Sequence, residues 1–182
     1  MTRDQILGRP GLWAAAVWGF AEGTVFFLVP DILITFVAMF SARKSVQHTA
    51  AVLGGSLLAG ALLFLLAASG QQWVVDTVKH VPFIRERMVD QTRADFERYG
   101  AGALLRGPSS GIPYKVYAVQ APRYTTLWMF LLFSIPARLE RFIVAWAGFA
   151  MAGLWLRQHP RFAIAVHALF WVVIYSWYWT RT

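Results

Sequence analysis

The 182-residue chain is 58% hydrophobic and only 14% charged, where soluble domains carry about 25% charged residues. A fold of this length has too little interior to hide so much apolar surface, so the surplus must face lipid. The net charge of +8 comes from short basic segments between apolar runs with no nucleic-acid motif, which excludes nucleic acid as the partner and points to anionic membrane lipid.

These features predict a single all-α integral membrane domain over residues 1–182, with no more than four or five passes. The chain has no cysteine, which excludes disulfides and thiolate metal sites. Residues 1–10 are polar and no signal-type cleavage site follows the first apolar run, so the N-terminus reads as retained.

Residues 12–40 form a nearly continuous apolar run broken by Glu22 and by Pro30-Asp31. As one straight helix the run would reach roughly 43 Å against a hydrocarbon core of about 30 Å. Proline removes a backbone donor and disfavours helix at Val29 before it. A re-entrant hairpin, helix–break–helix, resolves the length. Its freed backbone groups then need cover from protein or from a water-filled cavity.

Residues 50–69 read as an ordinary span, with Gly54, Gly55, Ala59, Gly60 and Ala61 as small-residue contact positions. In the polar insertion 71–99, Phe83, Ile84, Met88, Val89 and Phe96 interleave with Arg85, Arg87, Asp90, Arg93, Asp95 and Arg98. That spacing predicts an amphipathic helix, either interfacial or simply solvated.

In 100–122, glycines and prolines exclude one long helix while the remaining residues are too apolar for an open loop. A second re-entrant segment is expected: 102–106 dips, 107–113 turns, and a short helix starts at Tyr114. Residues 125–156 exceed one upright span and contain Pro136, Arg138, Glu140 and Arg141, predicting a long tilted helix kinked near Pro136. The last span, 162–180, ends in the aromatic belt Tyr175, Trp177, Tyr178 and Trp179. His167 within it is expected to bond a neighbouring helix.

The charges at membrane depth are Glu22, Asp31, Arg106, Lys115, Arg138, Glu140 and Arg141. Each unpaired charge at the bilayer centre costs about 2.5–3.5 kcal/mol, so they must pair or line a wet cavity. The first broken segment supplies acids and the second supplies bases. The simplest arrangement sets Glu22 and Asp31 against Arg106 and Lys115. Static ion pairs holding a compact bundle are the competing reading.

Turn 107–113, opening a helix at Tyr114 beside Arg106 and Lys115, suits a phosphate. This makes Arg106, Lys115, Gly111, Pro113 and Tyr114 the substrate-binding candidates. Desolvation favours a protonated carboxyl, which makes Glu22 and Asp31 the proton-coupling candidates. Arg138 and Arg141 share a helix face by i, i+3 spacing, with Glu140 pointing elsewhere. They are second-rank substrate-binding candidates, or else a juxtamembrane basic patch.

Nothing in the chain calls for a cofactor. His48, His80 and His159 lie at segment ends without metal-ligand spacing. Ser109 and Ser110 have no nearby base and read as turn residues. The chain is therefore read as a non-enzyme.

Three stretches carry a resemblance: AEGTVFFLVPD at Ala21–Asp31 with Glu22 and Pro30-Asp31, LLRGPSSGIPYKVYAVQA with Pro113-Tyr114-Lys115, and SIPARLERFIVAWAG with Arg138 and Arg141. Together they resemble the small bacterial branch of the DedA family, also called VTT or SNARE-associated domain proteins. The resemblance covers about 13–156, leaving the helix at about 162–180 outside it. Two departures stand out: the spacing from Glu22 to Asp31 is short, and Lys115 stands where arginine is common.

The resemblance implies two opposed re-entrant hairpins in a bacterial inner membrane and movement of a phosphate-headed lipid, undecaprenyl phosphate or phospholipid. It also implies coupling to an ion gradient in some members. A proton-coupled exporter of small solutes or cations is the alternative, and a homo-oligomer stays open. If the first hairpin returns, Arg3, Arg9, Arg43 and Lys44 share one side, which the positive-inside tendency would make cytoplasmic.

Overall fold

A computed structural model describes residues 3–156 and 158–181. The side chains of Arg3, Tyr178 and Trp179, to which the basic side and the aromatic belt in part appealed, lie outside the described residues. Every regular element among those residues is helical.

A one-turn α1 (Arg3–Ile6) leads into α2 (Arg9–Thr24), with Pro10 in the first turn, where its fixed φ suits helix initiation. Helix α2 stops at Thr24, whose hydroxyl donates to the carbonyls of Phe20 and Ala21. Helix α3 (Asp31–Phe40) starts directly after Pro30, which is its N-cap. The break expected at Val29-Pro30 is present. At 16 and 10 residues, α2 and α3 are about 24 and 15 Å long, each shorter than a hydrocarbon core.

Ser41 is extended and caps α4 (Ala42–Ala68) by accepting from the Lys44 amide. This span begins well before residue 50 because its polar first turns are satisfied internally. Ser45 donates to the Ile34 carbonyl at 2.9 Å. The two ring nitrogens of the buried His48 lie against the carbonyls of Lys44 and Ile6. His48 thereby ties the start of α4 to the chain just before α2, which brings Arg9, Arg43 and Lys44 to one end of the bundle.

Helices α2 and α4 pack backbone to backbone. A Cβ at Gly19 would run into the Val52 carbonyl, and one at Gly55 into the carbonyl of Ala16. The small-residue stripe is thus a contact face, with Gly54 the exception, since nothing lies near it.

The amphipathic helix expected within the polar insertion is present as α6 (Glu86–Tyr99), and a second helix, α5 (Gln72–Lys79), precedes it. Pro82 and the left-handed Phe83 (φ 72°) separate them. Their apolar faces, Val74 and Val78, then Val89 and Phe96, join one buried core with Leu104, Val116 and Tyr117. Asp95, assigned to the polar side by periodicity, is buried there. The insertion is a cap docked on the second broken segment.

That segment is built of short pieces: a 3-10 helix Gly100–Arg106, α7 (Gly107–Ser110), α8 (Tyr114–Gln120) and a 3-10 turn Ala121–Arg123. Gly111 takes the left-handed φ of 71° that ends α7. All of α8 is buried. Helix α9 (Leu127–Leu156) runs through Pro136, and α10 (Pro160–Arg181) closes the chain. Among the described residues, two helices are long and apolar enough to cross a membrane, Ala42–Ala68 and Pro160–Trp177.

Candidate functional site

The two breaks meet. Lys115, in the first turn of α8, is buried and its Nζ donates at 2.7 Å to the carbonyl of Phe26 in the first break. Phe26 lies after the last helical bond of α2, made by the Val25 amide, and before the Val29 and Pro30 carbonyls that open α3, so its own carbonyl needs a donor from elsewhere, and an ammonium supplies a strong one. Lys115 is held in place by this bond.

The acids find different partners from those expected. Glu22 takes Arg138 of α9, with Nη2 to Oε2 at 2.6 Å and both side chains about 5% exposed. Arg138 Nη2 also donates to Ser56 of α4 at 2.8 Å. Its guanidinium lies over the rings of Tyr114 and Phe142, at 5.0 and 5.1 Å. Tyr114 is fixed in turn by a 3.0 Å bond from its hydroxyl to Ser134.

Asp31 takes Arg141, one turn on from Arg138, at 2.9 Å. The carboxylate is buried, while 37% of the Arg141 side chain is exposed. The i, i+3 spacing of the two arginines therefore presents both to the first broken segment, with Arg138 buried against Glu22. Glu140 faces outward, as its offset from that face requires.

Arg106 does not join this constellation. It pairs with Asp95 of α6 at 3.3 Å, is 53% exposed, and lies over the Tyr99 ring. Acid against base across the breaks is thus corrected: the bases that meet Glu22 and Asp31 come from α9, where the helix runs past the broken backbone. Sequence order pointed to Arg106 because it directly precedes the turn. Its 3-10 segment instead turns it toward the cap.

A cavity of about 280 Å³ lies between these elements. Phe27 and Val29 of the first break and Gly111, Ile112 and Pro113 of the second form much of its wall, with Glu22, Tyr114, Lys115, Arg138 and Arg141 as its polar lining. A second, more open cavity of about 440 Å³ adjoins it and shares Val29, Pro108, Arg141 and Trp171. Asp31 and Glu140 line that one. Arg141 stands at the boundary.

No family model, curated protein or solved structure matches this chain. The site is therefore read from its own chemistry. The first cavity holds three cations, Lys115, Arg138 and Arg141, against one carboxylate, Glu22. The Nε of Arg138 is buried with no hydrogen-bond partner. Cations in excess of acids, in a mostly apolar chamber, favour an anionic group with oxygen acceptors.

Several contributors were missed from sequence. Ser56 and Ser134 were legible only as small polar residues in apolar helices, which is also the pattern of helix contact faces. Trp171 and Tyr175 of α10 line the cavity, although α10 lies beyond the segments that carry the charges. His167 bonds a neighbouring helix as anticipated, with its Nε2 3.0 Å from Thr35 Oγ1 of α3.

Proposed function

We propose that this chain is an integral membrane protein that moves a phosphate-headed lipid between leaflets, as a flippase or scramblase, in the manner of the DedA family whose motifs it resembles. In this reading α2–α3 and residues 100–123 are two re-entrant segments that enter from opposite sides and meet at the cavity. The observation that carries it is the cavity itself, walled by both breaks and lined by Lys115, Arg138 and Arg141 against Glu22. Breaks of this kind are tolerated at membrane depth where they line a protected chamber.

Arg141 is the cation that meets the headgroup. It is partly exposed, stands between the two cavities and holds Asp31 by a bond at its rim. Arg138 and Lys115 are committed to Glu22 and to the Phe26 carbonyl, and they supply field more than contact. Displacement of Asp31 from Arg141 would free this cation for a phosphate.

The test is purified protein in liposomes with fluorescent lipids of several headgroups. Faster flipping than in protein-free vesicles is expected, strongest for anionic phosphates and lost in Arg141→Gln. Rates equal to empty vesicles for every headgroup would sink the proposal. pH-dependent solute uptake abolished by Glu22→Gln, with lipids unmoved, would replace it with the exporter.

A further inference from the structure

Helix α10 packs unlike the rest of the bundle. Its outward residues are exposed, including Leu169, Val172 and Val173 at 64%, 61% and 55%. Its inward stripe is Ala163, His167, Trp171 and Tyr175, one residue every four. No ion pair among the described residues involves this helix, and no glycine contact of the α2–α4 kind draws it in.

The stripe has two ends with different partners. Near the start, Ala163 is buried and His167 packs edge-on against Phe36 of α3 and Phe149 of α9. Phe170 packs on Phe149 as well. Toward the other end, the Tyr175 hydroxyl accepts from the Val29 amide at 2.9 Å. Val29 precedes Pro30 in the break, so its N–H has no helical partner and Tyr175 supplies one. Between the two ends, Trp171 Nε1 lies 3.2 Å from both Thr35 Oγ1 and His167 Nε2. Trp171, Ile174 and Tyr175 line the charged cavity.

We infer that α10 is a door on the lipid side of the cavity, hinged on the Phe36–Phe149–His167 cluster and latched by Tyr175 to the broken backbone at Val29. This rests on the lipid reading above and adds the route. A phosphate head enters the cavity while its hydrocarbon tail stays in the bilayer, through the gap between α10 and the first break. Opening the door breaks two neutral hydrogen bonds, Tyr175 to Val29 and Trp171 to Thr35, and loosens apolar contacts, leaving the Glu22–Arg138 and Asp31–Arg141 pairs intact. A lipid tail replaces the apolar contacts at little cost, since the helix already faces lipid.

The chain has no cysteine, so paired cysteines can be placed without background. One variant carries Val29→Cys and Ile174→Cys across the latch, and another carries Phe149→Cys and Phe170→Cys at the hinge. Each is closed with a short, reducible thiol cross-linker in liposomes containing a diazirine-tailed phosphatidic acid. Readouts are photolabelling of cavity peptides and flipping rate. The parent protein should be labelled, and each variant is compared with its own unlinked state. Closing the latch should abolish labelling and flipping, with reduction restoring both, while closing the hinge should leave them unchanged.

Equal labelling with the latch closed or open would overturn the door. Absence of cavity labelling and of flipping in the unlinked proteins would instead overturn the lipid reading on which it rests. Tyr175→Phe, which removes only the latch oxygen, should raise labelling roughly 2- to 10-fold, the factor that one net hydrogen bond is worth. A purely structural tyrosine would lower labelling or leave it unchanged.

Discussion

Arg138 and Glu22, 116 positions apart, meet through a 2.6 Å hydrogen bond inside the bundle. The contact joins the middle of α9 to the last turns of α2, just before that helix breaks. It therefore fixes where the first hairpin lies against the long helix.

Glu22→Gln leaves the Arg138 guanidinium buried without a counter-charge. Loss of one partner of a buried pair costs about 3–5 kcal/mol, whereas replacement of both by apolar residues is often neutral. Thermal unfolding in detergent should show Glu22→Gln well below the parent, with Glu22→Leu/Arg138→Met recovering much of the difference. A double variant less stable than the single one would show that the pair is not the coupled unit described.

Lys115→Met removes the donor to the Phe26 carbonyl. An unsatisfied buried acceptor costs about 1–3 kcal/mol, and here the loss falls on the break itself. Proteolysis or hydrogen exchange should show increased opening confined to residues 25–30 and the start of α8. Uniform destabilisation with no local change at the break would contradict this.

Arg106→Ala should behave differently from the other basic residues. Its pair with Asp95 is half exposed, and such pairs contribute at most about 1 kcal/mol. Flipping in liposomes should stay within twofold of the parent while Arg141→Gln loses it. Equal losses in both would restore Arg106 to the site.

Two glycines in one helix should part company. Gly55→Ala meets the Ala16 carbonyl, and overpacking of this sort costs about 1–3 kcal/mol. Gly54→Ala meets nothing and should gain about 0.5–1 kcal/mol from helix propensity. Melting temperatures on the two sides of the parent are expected, and a loss at Gly54 would put a second contact on that face.

The break at Val29-Pro30 was legible because proline acts locally, and the last span because length and hydropathy suffice. The split of 71–99 into two helices was not. The pattern read there began only at Phe83, and the buried faces of α5 and α6 follow a core that neither segment contains. The role of Asp95 was hidden for the same reason.

The sequence alone determined that the chain is helical, that it exposes apolar surface and that the 12–40 run must break, since these follow from hydropathy, length and the chemistry of Pro30. Which acid meets which base was decided by tertiary structure. Partner choice depends on helix rotation and on where α9 passes the first break, and both are set by packing between residues far apart in the chain. Arg138 and Arg141, ranked second from sequence, hold the two buried acids, while Arg106 turns toward the cap because its 3-10 turn leaves it no other reach.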